Sequence, residues 1–299
     1  MGCGPKHTYP AARVTQSIEE ILKKENKIDA SARIVGATIG VVTYTRLTKD
    51  GQIPREVHEM MGKVLQTVQR VGLSTDLPVR FAMVSIRDRK SPNELVLVRS
   101  MEDIRRVNAE AIGWEESLNR TLFNPSTYTP GEESFVVEDI REEDFLARQM
   151  AQRIRHYFTK DDPVQEGQDP AAAAQPLVLA DGAYNPSDRH FRLAVLVLKP
   201  GDPRESMTQM LKIAAQVLSG YKYRNYDFVE IQDYMNRQKL LVPREALVKF
   251  SQKKLTADEV LRRYLVESQS IQEAFKLFGF NIPPQDSDTP AEASFPRQA

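Results

Sequence analysis

The chain has 299 residues, and its 41 Lys plus Arg balance 41 Asp plus Glu to give a formal net charge of zero. A 41% hydrophobic fraction with 14 glycines excludes wholesale disorder. The balanced charge speaks against nucleic acid as the partner, because displacing counterions from phosphate needs an excess of basic charge. The longest clean apolar run, Leu193 to Leu198, falls far short of the roughly 20 residues of a membrane-crossing helix. Cys3 is the single cysteine, which excludes an intrachain disulfide and a Cys-based zinc site.

Residues 1–12 read as a flexible leash, with Pro5 and Pro10 and no periodic apolar pattern. Within it, Gly2-Cys3 resembles the end of a bacterial lipobox, where a small residue precedes the cysteine that receives diacylglycerol. On that reading Cys3 is the lipidation site, and the signal peptide has been replaced by Met1 or the true start lies upstream. Two alternatives stand beside it. One is myristate on Gly2 with palmitate on Cys3, for which Lys6 stands where the usual pattern has Ser or Thr. The other is a cysteine without consequence.

Residues 13–123 form a first α+β unit. Ile18, Ile21 and Leu22 mark a helix over Gln16 to Lys24, and strand-like runs Ile28 to Val35 and Thr38 to Arg46 break at Gly36. Pro54 then opens a long helix carrying Val57, Met61, Val64, Leu65 and Val68 at the 3.6 period. Strands Val79 to Arg87 and Glu94 to Arg99 follow a hairpin pattern, and Ser100 with Asp103 starts a helix running towards Leu118. Trp114 is expected to pack within that helix face. Residues 124–138, with Pro125 and Pro130, read as a linker.

Residues 139–255 repeat the order. Asp139 with Glu142 reads as a helix start before Phe145, Leu146, Met150, Ile154 and Tyr157. A mobile insertion over 160–176 precedes strands Leu177 to Ala180 and Phe191 to Leu198. Asp202-Pro203-Arg204-Glu205 then starts a helix, strands Tyr226 to Ile231 and Lys239 to Val242 follow, and a short helix begins near Pro243. Thr256 with Glu259 and Ser270 with Glu273 read as capping boxes of a C-terminal helical pair over 256–280, and 281–299 as a disordered tail.

The two units align in detail. Pro54-Arg55-Glu56 matches Pro203-Arg204-Glu205, and Phe81, Met83, Val84, Ile86 and Asp88 match Tyr226, Phe228, Val229, Ile231 and Asp233. The expected fold class is therefore α+β. It is a tandem duplication of a helix–hairpin–helix–hairpin–helix unit, with mainly antiparallel or mixed sheets and helices on one face.

Reactive constellations are sparse. The histidines are His7, His58, His156 and His190. His58-Glu59 begins like a zincin motif but lacks the second histidine one turn later, so it reads as a solvated helix residue. No Gly-x-Ser-x-Gly elbow or phosphate-cradling glycine loop occurs. The densest polar cluster runs from Asp181 to His190 with Asn185 and Asp188. Its composition is that of a turn, and its spacing matches no calcium or zinc loop, so no metal is expected there. Tyr221-Lys222-Tyr223-Arg224-Asn225-Tyr226 alternates aromatic and basic residues, a pattern that stacks bases or closes the edge of a core. The second use is the expected one.

No catalytic residue, cofactor or metal ligand is assigned. The function expected is that of a non-catalytic, lipid-anchored protein on the periplasmic side of a bacterial cell envelope. It would be held to the membrane through Cys3 and would work through contacts with an unidentified protein. The alternatives are a small-ligand binder or enzyme with its site between the two units, around Asp181 to His190, and a cytoplasmic adaptor.

Overall fold

A computed structural model describes residues 8–48, 53–129, 135–159, 178–198 and 201–267. Cys3, the 160–176 insertion, the Ser270–Glu273 capping box and the 281–299 tail lie outside the described residues.

The first half begins with α1 (Val14–Glu25), whose Val14, Ile18 and Leu22 are fully buried at four-residue spacing. The hairpin β1 (Ala30–Val35) and β2 (Thr38–Thr45) leads to α2 (Arg55–Leu73), with Pro54 at its N-cap. Strands β3 (Phe81–Asp88) and β4 (Asn93–Ser100) follow, then α3 (Met101–Asn108), α4 (Trp114–Asn119) and β5 (Leu122–Thr127). The second half runs α5 (Glu142–Thr159), β6 (Val178–Asn185), β7 (His190–Val197), α6 (Pro203–Gly220), β8 (Phe228–Asp233), β9 (Gln238–Pro243), α7 (Arg244–Ser251), α8 (Ala257–Tyr264) and β10 (Leu265–Glu267).

The protein is α+β, built on two mixed five-stranded sheets ordered β1-β2-β3-β4-β5 and β10-β9-β8-β7-β6. In each sheet the second and third strands in the chain pair in parallel and the other neighbours are antiparallel. A parallel pair cannot be joined by a tight turn, and α2 and α6 supply the two crossovers. Pro54 and Pro203 stand at the starts of these two helices.

Strand alternation sorts the side chains of the first sheet onto two faces. Ile39, Val41, Val84, Ile86 and Leu97 pack under α1, α2 and α3. Val42, Phe81, Met83 and Val98 join a larger core that includes α5 and the inner face of the second sheet. The first sheet is therefore covered on both sides, which departs from the expected placement of helices on one face. The reason is α5: Phe145, Leu146, Ala147, Met150, Ala151 and Ile154 bury it almost all round, so it serves both sheets. The segment before it lies along β1 and β2. Ile140 N–H donates to Thr38 Oγ1 (3.1 Å), and a Cβ on Gly40 would stand 2.3 Å from Val137 Cγ2. The second sheet turns its other face outward.

Four local expectations are corrected. Residues 124–127 are not linker but the end of β5. Pro125 is tolerated there because β5 is an edge strand, where a missing N–H breaks no ladder. Residues 265–267 of the expected helical pair form β10 beside β9, with Leu265 packed on the core. The helix expected from Ser100 to Leu118 divides at Glu110, whose φ is 55°, and at Gly113. Trp114 consequently opens a new helix and is 62% exposed beside Arg99. Asp139 does not cap α5. Its Oδ1 accepts from Ala37 N–H (3.1 Å) in the first hairpin, and the adjoining Glu142 pairs with Arg80.

Candidate cleft between the two sheets

A cleft of about 500 Å³ opens between the halves. Its first wall is the second face of the first sheet. Arg87 on β3 and Glu94 on β4 are directly opposite in register, so their side chains project from the same face. Arg87 Nε donates to Glu94 Oε1 at 2.9 Å, and the two side chains are only 7% and 12% exposed. Glu94 also accepts from Ser85 and from Ser126 Oγ (3.2 Å). The Arg87 guanidinium reaches Tyr44 OH (3.4 Å) and lies over the Tyr128 ring at 4.8 Å. Burial alone would lower its pKa. The Glu94 carboxylate and Tyr44 hydroxyl outweigh that and raise it.

The second wall is one stripe of α5. Arg148, Ala151, Gln152 and Arg155 fall at i, i+3, i+4 and i+7, the spacing that places side chains on one helix face. Arg148 pairs with Glu138 at 2.9 Å. Gln152 accepts from Phe123 N–H (2.8 Å) and donates to Thr121 O (2.7 Å), tying α5 to the start of β5. Arg155 donates through Nη1 to Ala180 O, tying the same helix to β6. Both strands are sheet edges, and these contacts cap their outward polar groups, which blunts them against adding another strand.

Arg155 is the least compensated charge of the cleft. Burial lowers its pKa, and among the described residues Asp181, next to Ala180 in β6, is the group that opposes the shift. No carboxylate among the described residues lies within ion-pair distance of it. Arg155, Asp181, Gln152, Phe123 and Asn124 also line an adjoining hollow of about 790 Å³, whose apolar side includes Leu118, Phe123 and Leu179. Leu118 and Phe123 are 41% and 39% exposed.

The Asp181-to-His190 cluster is not brought together as one site. Asp181 stands opposite Ala194 within the β6–β7 pairing, whereas His190 stands opposite Asn185 beside the turn. Asn185 Oδ1 accepts from Ser187 N–H (3.1 Å) in that turn. His190 lies 3.7 Å from Asp188 and 3.9 Å from Glu230, and burial lowers its pKa despite both carboxylates. Among the described residues no three His, Cys, Asp or Glu side chains are grouped to hold a metal ion. His58 is exposed on α2, with Nδ1 3.2 Å from Pro54 O.

The tyrosines after α6 close the core between the halves. Tyr226 is buried, Tyr223 OH donates to Glu143 Oε1 (2.8 Å), and Tyr221 OH donates to Asp103. Asp103 is fully enclosed and also accepts from Arg120 Nη1 at 3.0 Å. Its pKa is nevertheless raised, because burial outweighs these donors. Sequence reading missed this network, the Arg87–Glu94 pair and Arg155. Arg148, Gln152 and Arg155 at helical spacing on α5 were the available signal.

No protein-family model matches the chain, and no curated protein matches it. A solved structure titled "Crystal structure of Sex pheromone staph-cAM373 precursor" aligns with 73% of this chain and 71% of its own, at 8% identity and a TM-score of 0.20. A likeness of that size carries no argument about fold or function.

Proposed function

We propose that the protein is a non-catalytic, lipid-anchored component of a bacterial envelope, on the periplasmic side, that works through contact with another protein. The observation that supports it most is the outward face of the second sheet. There Phe228 (38% exposed) and Val266 (54% exposed) accompany the half-buried Leu241 and the charged Arg192, Glu230 and Lys239. Glu230 and Lys239 pair across β8 and β9 at 2.8 Å. Apolar side chains among charges are the composition of a non-obligate contact surface. Gly2-Cys3 supports the anchor, and among the described residues no helix is long and apolar enough to cross a membrane. The common strand order of the two sheets supports an origin by tandem duplication.

Two measurements test this reading. Cys3→Ala, expressed with the natural leader, is expected to move the protein from the membrane to the soluble fraction. Retention at the membrane rejects the anchor, and a parent found only in the soluble fraction favours the cytoplasmic adaptor. A photo-crosslinking residue replacing Phe228 is expected to trap a discrete partner in intact cells, whereas one replacing His58 on α2 is not. Equal labelling at both positions rejects the sheet face as the contact surface.

A second reading, a small-ligand binder with its site between the halves, is supported by the inter-sheet cleft. Its volume lies within the range of about 300–1,000 Å³ common for ligand sites. The two readings are compatible in one molecule.

A further inference from the structure

We propose that the inter-sheet cleft binds a monoanionic carboxylate carried on an apolar body, with the Arg155 guanidinium receiving the carboxylate. This rests on the second reading above, that the cleft takes a ligand at all. Arg87 and Arg148, the other arginines lining the smaller cavity, already have carboxylate partners in Glu94 and Glu138. Among the described residues Arg155 has a single hydrogen-bond partner, the backbone carbonyl Ala180 O. A guanidinium carries five N–H donors in a planar fork that matches a carboxylate bidentately, so most of its donors are left for a guest.

The surroundings set the rest of the ligand. Arg155 lines both the 500 Å³ cleft and the 790 Å³ hollow and so stands at the border of the two. Leu118, Phe123 and Leu179 offer apolar wall on the side of the hollow, and Leu118 and Phe123 are partly exposed there. Asp181 lines the same space and carries the opposing charge that acts on Arg155. Its carboxylate already accepts from Gly182 N–H at 2.9 Å, which holds it in place. Arg153 lines the hollow too but is paired with Glu116 at 3.2 Å. Among the described residues Arg155 is therefore the arginine there without a carboxylate partner, and a fixed negative charge beside it disfavours a dianion such as phosphate and tolerates a monoanion. A partly buried guanidinium also gains more from a charged acceptor than an exposed one does, because water competes less for it.

The test is calorimetric titration of the full chain with three probes: 4-phenylbutyrate, the neutral 4-phenylbutan-1-ol, and inorganic phosphate. Saturable binding of phenylbutyrate is expected, at least about tenfold tighter than the alcohol, the size of one charge-assisted hydrogen-bonded contact. Phosphate is expected to bind weakly or not at all. Arg155→Gln is expected to reduce phenylbutyrate binding to the level of the alcohol. Asp181→Asn is expected to tighten phenylbutyrate, so this opposite response stands even if Arg155→Gln fails to fold. Equal binding of alcohol and carboxylate overturns the role of Arg155 but leaves the cleft as an apolar site. Phosphate binding as tight as phenylbutyrate, or phenylbutyrate affinity unchanged in both variants, overturns the proposal. Absence of saturable binding by any probe overturns the proposal together with the reading on which it rests.

Discussion

Gly182 of β6 lies against the carbonyl of Ala147 in α5: a Cβ placed on Gly182 would stand 2.2 Å from that oxygen. Helix and strand approach so closely only because position 182 has no side chain. The contact helps fix α5 against the second sheet.

Gly182→Ala is therefore expected to destabilise the protein by about 1–3 kcal/mol, the usual cost of forcing atoms into a packed core. Gly62→Ala is the control, since nothing lies within 4 Å of its Cβ position in the interior of α2. There alanine is expected to stabilise by up to about 1 kcal/mol through helix propensity. Urea unfolding of both variants measures the pair. Equal effects would mean that α5 does not rest on β6 as described.

Asp88 and Asp233 each end the third strand of their sheet, and both are buried. Asp88 accepts from Lys90 N–H (2.7 Å) and Leu47 N–H (2.9 Å), and these backbone donors hold its pKa below the ordinary value. Asp233 accepts from Asn236, yet burial pushes its pKa up. The signs of linkage are opposite. The Asp88 contribution is present above the unfolded value of about 3.9 and is lost as pH falls through the lower folded value. The Asp233 contribution is present below the unfolded value and is lost as pH rises through the higher folded value. Asp88→Asn is expected to cost about 1–2 kcal/mol at neutral pH, with a penalty that shrinks in acid. Asp233→Asn is expected to remove a loss of stability with rising pH that begins near pH 4. Denaturation across pH separates the two, and slopes of the same sign would reject the assignment.

Tyr221 joins the end of α6 to Asp103 in α3, so its hydroxyl bonds one half of the protein to the other. Tyr221→Phe leaves the enclosed carboxylate one donor short, at a cost of about 1–3 kcal/mol. The pKa of Asp103 is already raised by burial, and losing a donor to its charged form raises it further. The stability associated with Asp103 is lost as pH rises through that value. The penalty of Tyr221→Phe is therefore expected to be greater at neutral pH than near pH 4, as read from urea midpoints. A pH-independent penalty would mean that the hydroxyl serves packing alone.

Local chemistry was enough to place most elements from the residues alone. The spacing of Ile18, Ile21 and Leu22, the capping box of Thr256 and Glu259, and the Pro54 and Pro203 helix starts act within one or two helical turns. The paired order of hairpins and crossover helices was legible for the same reason, and with it the α+β class. Strand β5 escaped detection because Pro125 argues against a strand until its edge position is known. The short β10 escaped because three residues carry no period. Only the tertiary structure decided that α5 serves two sheets, which turned Asp139 from a cap into a ligand of the Ala37 amide. It also decided which charges find partners. Arg87 and Glu94 are brought opposite each other by strand register, whereas Arg155 is set against a backbone carbonyl by the way α5 meets β6. Helical and strand periods specify which face a residue occupies. The partner across that face comes from a distant part of the chain, and packing chooses it.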